Sequence, residues 1–148
     1  MSSGWADMHI GEFHLAVRWR VQPGEVMALL GPSGSGKSLT LQIIAGLLHP
    51  NRGMVEVDDT LLLDTDKRVR VAPHERRIGY VPQQYGLFPH LSVQANIAFG
   101  LARWPRHVAR NRTQQLLETF QLKSVATRNP TDLSGGEQQR VAFARALA

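Results

Sequence analysis

Apolar residues recur along this chain with two distinct periods. Phe13, Leu15, Val17, Trp19 and Val21 fall at every second position, with His14, Ala16, Arg18 and Arg20 between them. That alternation is the mark of a half-buried strand. Ile10, Gly11 and Glu12 carry turn chemistry just before it, so an N-terminal antiparallel hairpin is expected. Glu25–Leu30 is a different kind of segment, a short apolar run bounded by Pro23-Gly24, and it predicts a buried strand of a parallel sheet. From Lys37 to Ala45 the apolar spacing turns helical, and Gly46 sits where a C-cap glycine belongs.

Pro50–Gly53 has turn chemistry. Met54–Val57 and Thr60–Leu63 read as two short strands joined by Asp58-Asp59. Asp64 to Pro73 reads as a polar connection, and Arg77–Val81 as a further strand stopped by Pro82. The texture then changes. Gln83–His90 is a loop rich in aromatic and polar groups, and Ser92 is placed to N-cap a helix running to about Leu101. Pro105 breaks that helix. A second is expected over His107–Phe120, and a last one over Gly135–Ala148, where Val141, Ala144, Arg145 and Ala148 fall in helical rows. There is no internal repeat and no low-complexity tract.

The 148 residues amount to one domain's worth of chain and support a sizeable core. The sequence has no cysteine, which removes disulfide frameworks and thiolate metal sites. No apolar run approaches the ~20 residues that span a bilayer, and Met1–Asp7 lacks the basic and apolar signature of a secretory signal. These features fit a cytoplasmic protein. The net charge is +5, with basic residues gathered in Arg68–Arg77 and Arg103–Arg112. Without an aromatic-interleaved basic stripe, solvated surface is the preferred reading and no nucleic-acid partner is expected.

Between the apolar run and the first helix lie Gly31, Pro32, Ser33, Gly34, Ser35, Gly36, Lys37 and Ser38. They match G-x-x-x-x-G-K-[ST] at every fixed position, in a strand–loop–helix context. The glycines let the backbone curl so that successive N–H groups face one anion, and the helix N-terminus adds partial positive charge. Lys37 is suited to the β- and γ-phosphate oxygens, and the Ser38 hydroxyl to Mg²⁺. A plain Gly/Ser turn would explain the glycines but not the Lys-Ser pair.

Leu133–Arg140 is the second strong motif. Ser134 and Glu137 form a capping box ahead of the last helix. Two glycines inside that first turn weaken a helix, so Gly135 and Gly136 make sense where something must approach the backbone closely. Both readings hold together: the cap builds the helix start and the glycines expose it.

Gly31–Ser38, then Val81-Pro82-Gln83-Gln84, then Leu133–Arg140 resemble, in order and spacing, the ATP-binding cassette subunits of ABC transporters. The likeness runs over essentially the whole chain. Arg76–Val93, with its Leu-Phe-Pro-His run, is similar to the importer branch, and the short start and the Leu61–Arg76 connection are most like molybdate-importer ATPases. Sulfate, polyamine and sugar importers share much of this pattern. The resemblance implies an α/β P-loop NTPase fold with an N-terminal antiparallel β-subdomain and a helical subdomain. It divides the chain at 1–82 (β-subdomain and P-loop part), 83–132 (Q-loop and helical subdomain) and 133–148 (signature motif and its helix).

It also implies roles. Gly31–Ser38 would hold the phosphates of ATP, with Ser38 and the Q-loop glutamine Gln83 on Mg²⁺. Ser134, Gly135, Gly136 and Gln138 would meet the γ-phosphate of a nucleotide on a second, head-to-tail subunit. Tyr85–Leu91 would border the groove that receives a transmembrane permease subunit, placing the protein peripherally on the cytoplasmic face of the inner membrane. Trp5 and Phe13 are candidates for the family's adenine-stacking aromatic, and each is equally well placed for the core. The family's Walker B carboxylates and switch histidine have no counterpart in these 148 residues; the chain is expected to be a fragment ending before Walker B. Leu61–Asp64 looks like that motif but precedes the Q-loop and is rejected. In the family the missing strands lie inside the sheet between the P-loop strand and the Q-loop strand, so a gap with unpaired edges, weak or absent hydrolysis and an unstable fold are expected of these residues alone. A non-transport cassette protein and a non-catalytic remnant are the alternatives.

Overall fold

The computed structural model describes all 148 residues, which divide into two compact units, Met1–Ile78 and Gly79–Ala148. The first is built on one five-stranded antiparallel sheet. Its strands are β1 (Ser2–Ile10), β2 (Phe13–Val21), β3 (Arg52–Val57), β4 (Thr60–Asp64) and β5 (Val69–Arg70), in the spatial order β2-β1-β3-β4-β5.

The expected N-terminal hairpin forms. Along β2 the burial alternates as the sequence does: Leu15 and Trp19 are buried, while His14, Ala16, Arg18 and Arg20 are exposed. Trp19 lies opposite Gly4 of β1, where an added Cβ would fall 2.5 Å from the indole and 2.4 Å from the Met54 carbonyl oxygen. Any larger residue at Gly4 would therefore push the indole out of the core. The β3–β4 hairpin turns on Asp58 and Asp59, both at positive φ (46° and 60°), as a two-residue type I′ turn requires.

Helix α1 (Lys37–Ala45) covers this sheet. Ile43 is fully buried with Leu15, Trp19, Val55, Leu62 and Leu63 in one core. Each such side chain withdrawn from water contributes roughly 1.5–3 kcal/mol. The helix ends as predicted at Gly46, in the left-handed region at φ 80°, and Leu47 N–H donates back to the Gln42 carbonyl. Arg76 completes that end. Its Nη1 donates to the Ile43 and Ile44 carbonyls (3.0 and 2.9 Å) and its Nε to Val71 O (3.0 Å), a buried cation on the negative pole of the helix.

Two expected strands are absent. Glu25–Leu30 forms no ladder, and Val26 and Leu30 are 97% and 92% exposed. Arg77–Val81 likewise pairs with nothing. A parallel strand exists only when a neighbour accepts its backbone bonds. No strand of this chain lies beside either stretch, so the apolar runs that predicted burial remain without a sheet. A smaller correction concerns 64–73, read as a connection throughout. Val69–Arg70 adds a short strand there, pairing with Leu63 and Asp64.

The second unit is helical. It contains α2 (Val93–Ala98), which tightens into a 3₁₀ turn to Leu101, then α3 (Arg106–Thr119) and α4 (Gly135–Ala146). Ser92 caps α2 as expected, its Oγ accepting from Ala95 N–H at 3.2 Å. Val93 and Ile97 of α2, Leu116 and Leu117 of α3 and Val141 and Ala144 of α4 meet in a separate core with Leu122, Val125 and Leu133.

Candidate functional site

The loop from Gly31 to Ser38 leads into α1. Gly34 and Gly36 take left-handed backbone (φ 81° and 90°), conformations that cost an L-residue with a side chain roughly 1–2 kcal/mol. Gly36 is also hemmed in: a Cβ there would sit 2.6 Å from Leu15 and 3.3 Å from Phe13. The hairpin thus presses on the last glycine of the loop and fixes where α1 begins. Gly36 has no side chain to cap the helix, which leaves the first-turn amides of Lys37, Ser38 and Leu39 without intrahelical acceptors. Gly31, Pro32, Ser33, Gly34 and Ser35 are all exposed, as is Ser38.

Lys37 folds back over this loop. Its Nζ donates to Pro32 O at 2.7 Å, Gly31 O at 2.9 Å and Ser35 Oγ at 3.3 Å. The ammonium group is thus held by acceptors of the loop itself, beside first-turn amides that have no intrahelical partner. Thr40 anchors the turn beneath, with both its N–H and its Oγ1 donating to Gly36 O (2.9 and 3.0 Å). Of the two aromatic candidates, Phe13 lies on the loop's side of the hairpin. Trp5 faces the other way, opposite Arg18 in the register. The Walker B lookalike proves structural. Asp64 ends β4, and its Oδ1 accepts from the N–H groups of Asp66 and Lys67 (3.0 and 2.9 Å), closing a turn.

In the second unit Ser134 and Glu137 form the capping box in full. Ser134 N–H and Oγ–H both donate to Glu137 Oε2 (2.8 and 2.7 Å), and Glu137 N–H donates to Ser134 Oγ at 3.4 Å. Those bonds hold the Glu137 carboxyl below its ordinary range. A Cβ on Gly135 would meet nothing within 4 Å, and one on Gly136 only the tip of Arg140 at 3.8 Å. Gln138 turns inward instead. Its Nε2 donates to Pro130 O (2.9 Å) and Leu133 O (3.4 Å), bracing the segment ahead of the cap.

Gln83 lies exposed in the turn that opens the Tyr85–Leu91 segment. Sequence reasoning overlooked the two residues that fix this segment. Asn96, fully buried, accepts from Phe88 N–H at 2.9 Å and donates to the carbonyls of Phe88, Leu91 and Ser92 at 3.0–3.1 Å. Arg145 donates to Gly86 O (2.7 Å) and Tyr85 O (3.0 Å), with its guanidinium 5.2 Å from the Phe88 ring centroid. An Asn on the buried stripe of an expected helix was the only available signal for the first. For Arg145 the signal was its place among Val141, Ala144 and Ala148 in the helical rows of the last helix.

A glycine-rich loop closed by a lysine at the head of a helix defines a P-loop protein. Residues 15–148 match the family model described as ABC transporter, and the chain belongs to that family. It is 46% identical over 145 residues to the molybdenum import ATP-binding protein ModC of Mycobacterium tuberculosis, covering 94% of this chain and 39% of that protein. It is 45% identical over 130 residues to a putative 2-aminoethylphosphonate import ATP-binding protein, PhnT, of Salmonella paratyphi A, covering 86% and 34%. Among solved structures it is similar to the ATP-binding cassette MJ0796, a dimer in a post-hydrolysis state bound to ADP and Pi. The TM-score is 0.79 at 34% identity, over 100% of this chain and 69% of that one. The chain spans little more than a third of the length of these curated relatives.

Proposed function

We propose that this chain is the nucleotide-binding part of an ABC importer ATPase subunit, with ATP and Mg²⁺ as its ligands. The observation that carries the reading is Lys37, whose Nζ bridges Gly31 O, Pro32 O and Ser35 Oγ over the uncapped start of α1. The loop residues Gly31–Ser38 would bind the triphosphate and Ser38 would ligate Mg²⁺, joined by Gln83. Bound Mg²⁺ would neutralise charge between the β- and γ-phosphates. Phe13, beside Gly36, is the better of the two candidates for the adenine side.

Ser134, Gly135 and Gly136 are assigned to the nucleotide of a second subunit. Two glycines that no packing within the chain requires support a close approach from outside. The inward bonds of Gln138 leave its side-chain oxygen as the group for that contact. The Tyr85–Leu91 segment, pinned by Asn96 and Arg145, is assigned to a transmembrane permease subunit. No helix is long and apolar enough to cross a membrane, and peripheral attachment at the cytoplasmic face of the inner membrane is the location that fits such a partnership. Molybdate is the proposed solute, supported by the relative from Mycobacterium tuberculosis; relatives named for 2-aminoethylphosphonate and for trehalose/maltose import match at 45% identity, so an importer ATPase without a stated solute is the broader reading.

Titration with a fluorescent ATP analogue tests the central assignment. Lys37→Ala is expected to weaken binding by at least about tenfold, the loss of roughly 1.4 kcal/mol or more of charge-assisted bonding. Unchanged binding would remove the phosphate-site reading. Phosphate release by the 148-residue chain is expected to be slow or absent, and turnover at the rate of an intact importer ATPase would contradict that. With permease and binding protein reconstituted, ATPase stimulation by molybdate but not by 2-aminoethylphosphonate would support the proposed solute, and the reverse would exclude it.

A further inference from the structure

The solvent face of the β1–β2 hairpin carries a group of side chains that phosphate chemistry does not use. Gly11, at φ 58°, and Glu12 form a two-residue loop that sets Ile10 opposite Phe13 and His9 opposite His14. In such a hairpin the pair flanking the loop is the hydrogen-bonded one. His9 and His14 are then a non-hydrogen-bonded pair, the kind whose Cα atoms come closest, about 4.5 Å. Their rings stack with centroids 4.1 Å apart and planes 10° from parallel. Asp7, two residues back on the same face, reaches both imidazoles. Its Oδ2 is 3.2 Å from His14 Nε2, and its Oδ1 is 3.9 Å from His9 Nδ1. The end of β1 is held in place from outside the hairpin, because His9 N–H donates to Asn51 Oδ1 at 2.8 Å.

One ligand atom from each of the three residues lies within 4.8 Å of the other two. A tetrahedral ion bonded to nitrogen and oxygen at about 2.0–2.2 Å spaces its donors roughly 3.3–3.5 Å apart. An imidazole nitrogen bonds a metal in its own ring plane, so the near-parallel rings must first turn out of their stack to converge on one ion, and side chains that are 41–63% exposed have room for that rotamer change. A single Asp7–His14 hydrogen bond would serve the hairpin with almost any residue at position 9. A second imidazole within reach of the same carboxylate supplies the further nitrogen donor that a chelate needs.

We infer that Asp7, His9 and His14 form a binding site for a divalent transition-metal ion, with water completing its coordination. Two imidazoles and one carboxylate suit Zn²⁺ and its late first-row neighbours, whereas Mg²⁺ and Ca²⁺ take all-oxygen shells. The site lies on the face of the hairpin opposite Phe13 and Leu15, which press on Gly36, so it is distinct from the phosphate loop.

The test is a Zn²⁺ titration of the chain in competition with a chromophoric chelator, with the thermal midpoint read in parallel. The parent should take up one tight equivalent and gain in midpoint. His9→Ala and His14→Ala should each weaken uptake by more than about tenfold and lose the midpoint gain, and Asp7→Asn should weaken it less. Lys37→Ala should bind Zn²⁺ like the parent, which separates this result from the fate of the nucleotide assignment. His9→Gln and His14→Gln serve as second variants should either alanine change perturb the fold by circular dichroism. If the double variant His9→Ala/His14→Ala holds Zn²⁺ as tightly as the parent, the metal sits on other histidines and the proposal is overturned. A parent no tighter than the double variant overturns it equally.

Discussion

The two glycine-bearing helix starts differ in what demands their glycines. At α1 the demand comes from within: Gly34 and Gly36 hold left-handed backbone, and Leu15 leaves no room for a Cβ at Gly36. At α4 nothing within the chain makes a demand. Gly135 and Gly136 have ordinary helical φ and open space where their side chains would be. The caps differ in the same sense. Gly36 leaves the first amides of α1 bare, whereas Ser134 and Glu137 close α4 with a complete capping box. One start is shaped by packing and left uncapped. The other is a stable helix end with its surface kept low.

The largest effect that could break this contrast belongs to Gly36→Ala. The left-handed backbone costs roughly 1–2 kcal/mol and the overlap with Leu15 about 1–3 kcal/mol more. A loss of about 2–5 kcal/mol is expected in the first unit, read as faster amide exchange at Ile43 and Val55. A change under about 0.5 kcal/mol would show that the loop relaxes freely and that packing does not shape it.

Ser134→Ala comes next, with about 1 kcal/mol lost from α4. This effect should depend on pH. The folded-state pKa of Glu137 is depressed by its bonds to Ser134, so the stabilisation is complete above the ordinary carboxylate range and is lost as pH falls through the lower folded value. The gap between parent and variant should therefore narrow in acid below about pH 4. A gap that is constant from neutral pH to pH 3 would mean that the carboxylate does not take part in the cap.

Gly135→Ala should change stability least, within about 0.5 kcal/mol and in the stabilising direction. Its expected effect is on assembly: nucleotide-dependent dimerisation, followed by light scattering, should weaken while the isolated chain is unharmed. If Gly135→Ala instead unfolds α4, the glycine serves the fold and the contrast with Gly36 disappears.

Most of the local structure was legible in the sequence. The alternation from Phe13 to Val21 and the helical spacing after Lys37 both predicted what forms, as did the Ser92 and Ser134 caps and the Gly46 stop. These depend on residues within a few positions of one another, where backbone conformation and side-chain capping decide the outcome. The apolar runs at Glu25–Leu30 and Arg77–Val81 predicted strands that are absent, because a strand depends on a neighbour that no local pattern can supply. Asn96, Arg145 and Arg76 were illegible for the same reason. Each is defined by backbone carbonyls that other parts of the fold bring to it, from as far as Tyr85 to Arg145 in one case.

By itself the sequence determined the local structure of the two glycine-bearing helix starts, since motif, cap and turn are encoded in adjacent residues. Only the tertiary structure decided which glycines are compelled by packing and which are left open, because that distinction depends on what the rest of the chain places against them. It also decided that His9 and His14, five positions apart in the N-terminal hairpin, stand ring to ring beside one carboxylate. Strand register brings them together, and register is set by the turn and by burial of the opposite face.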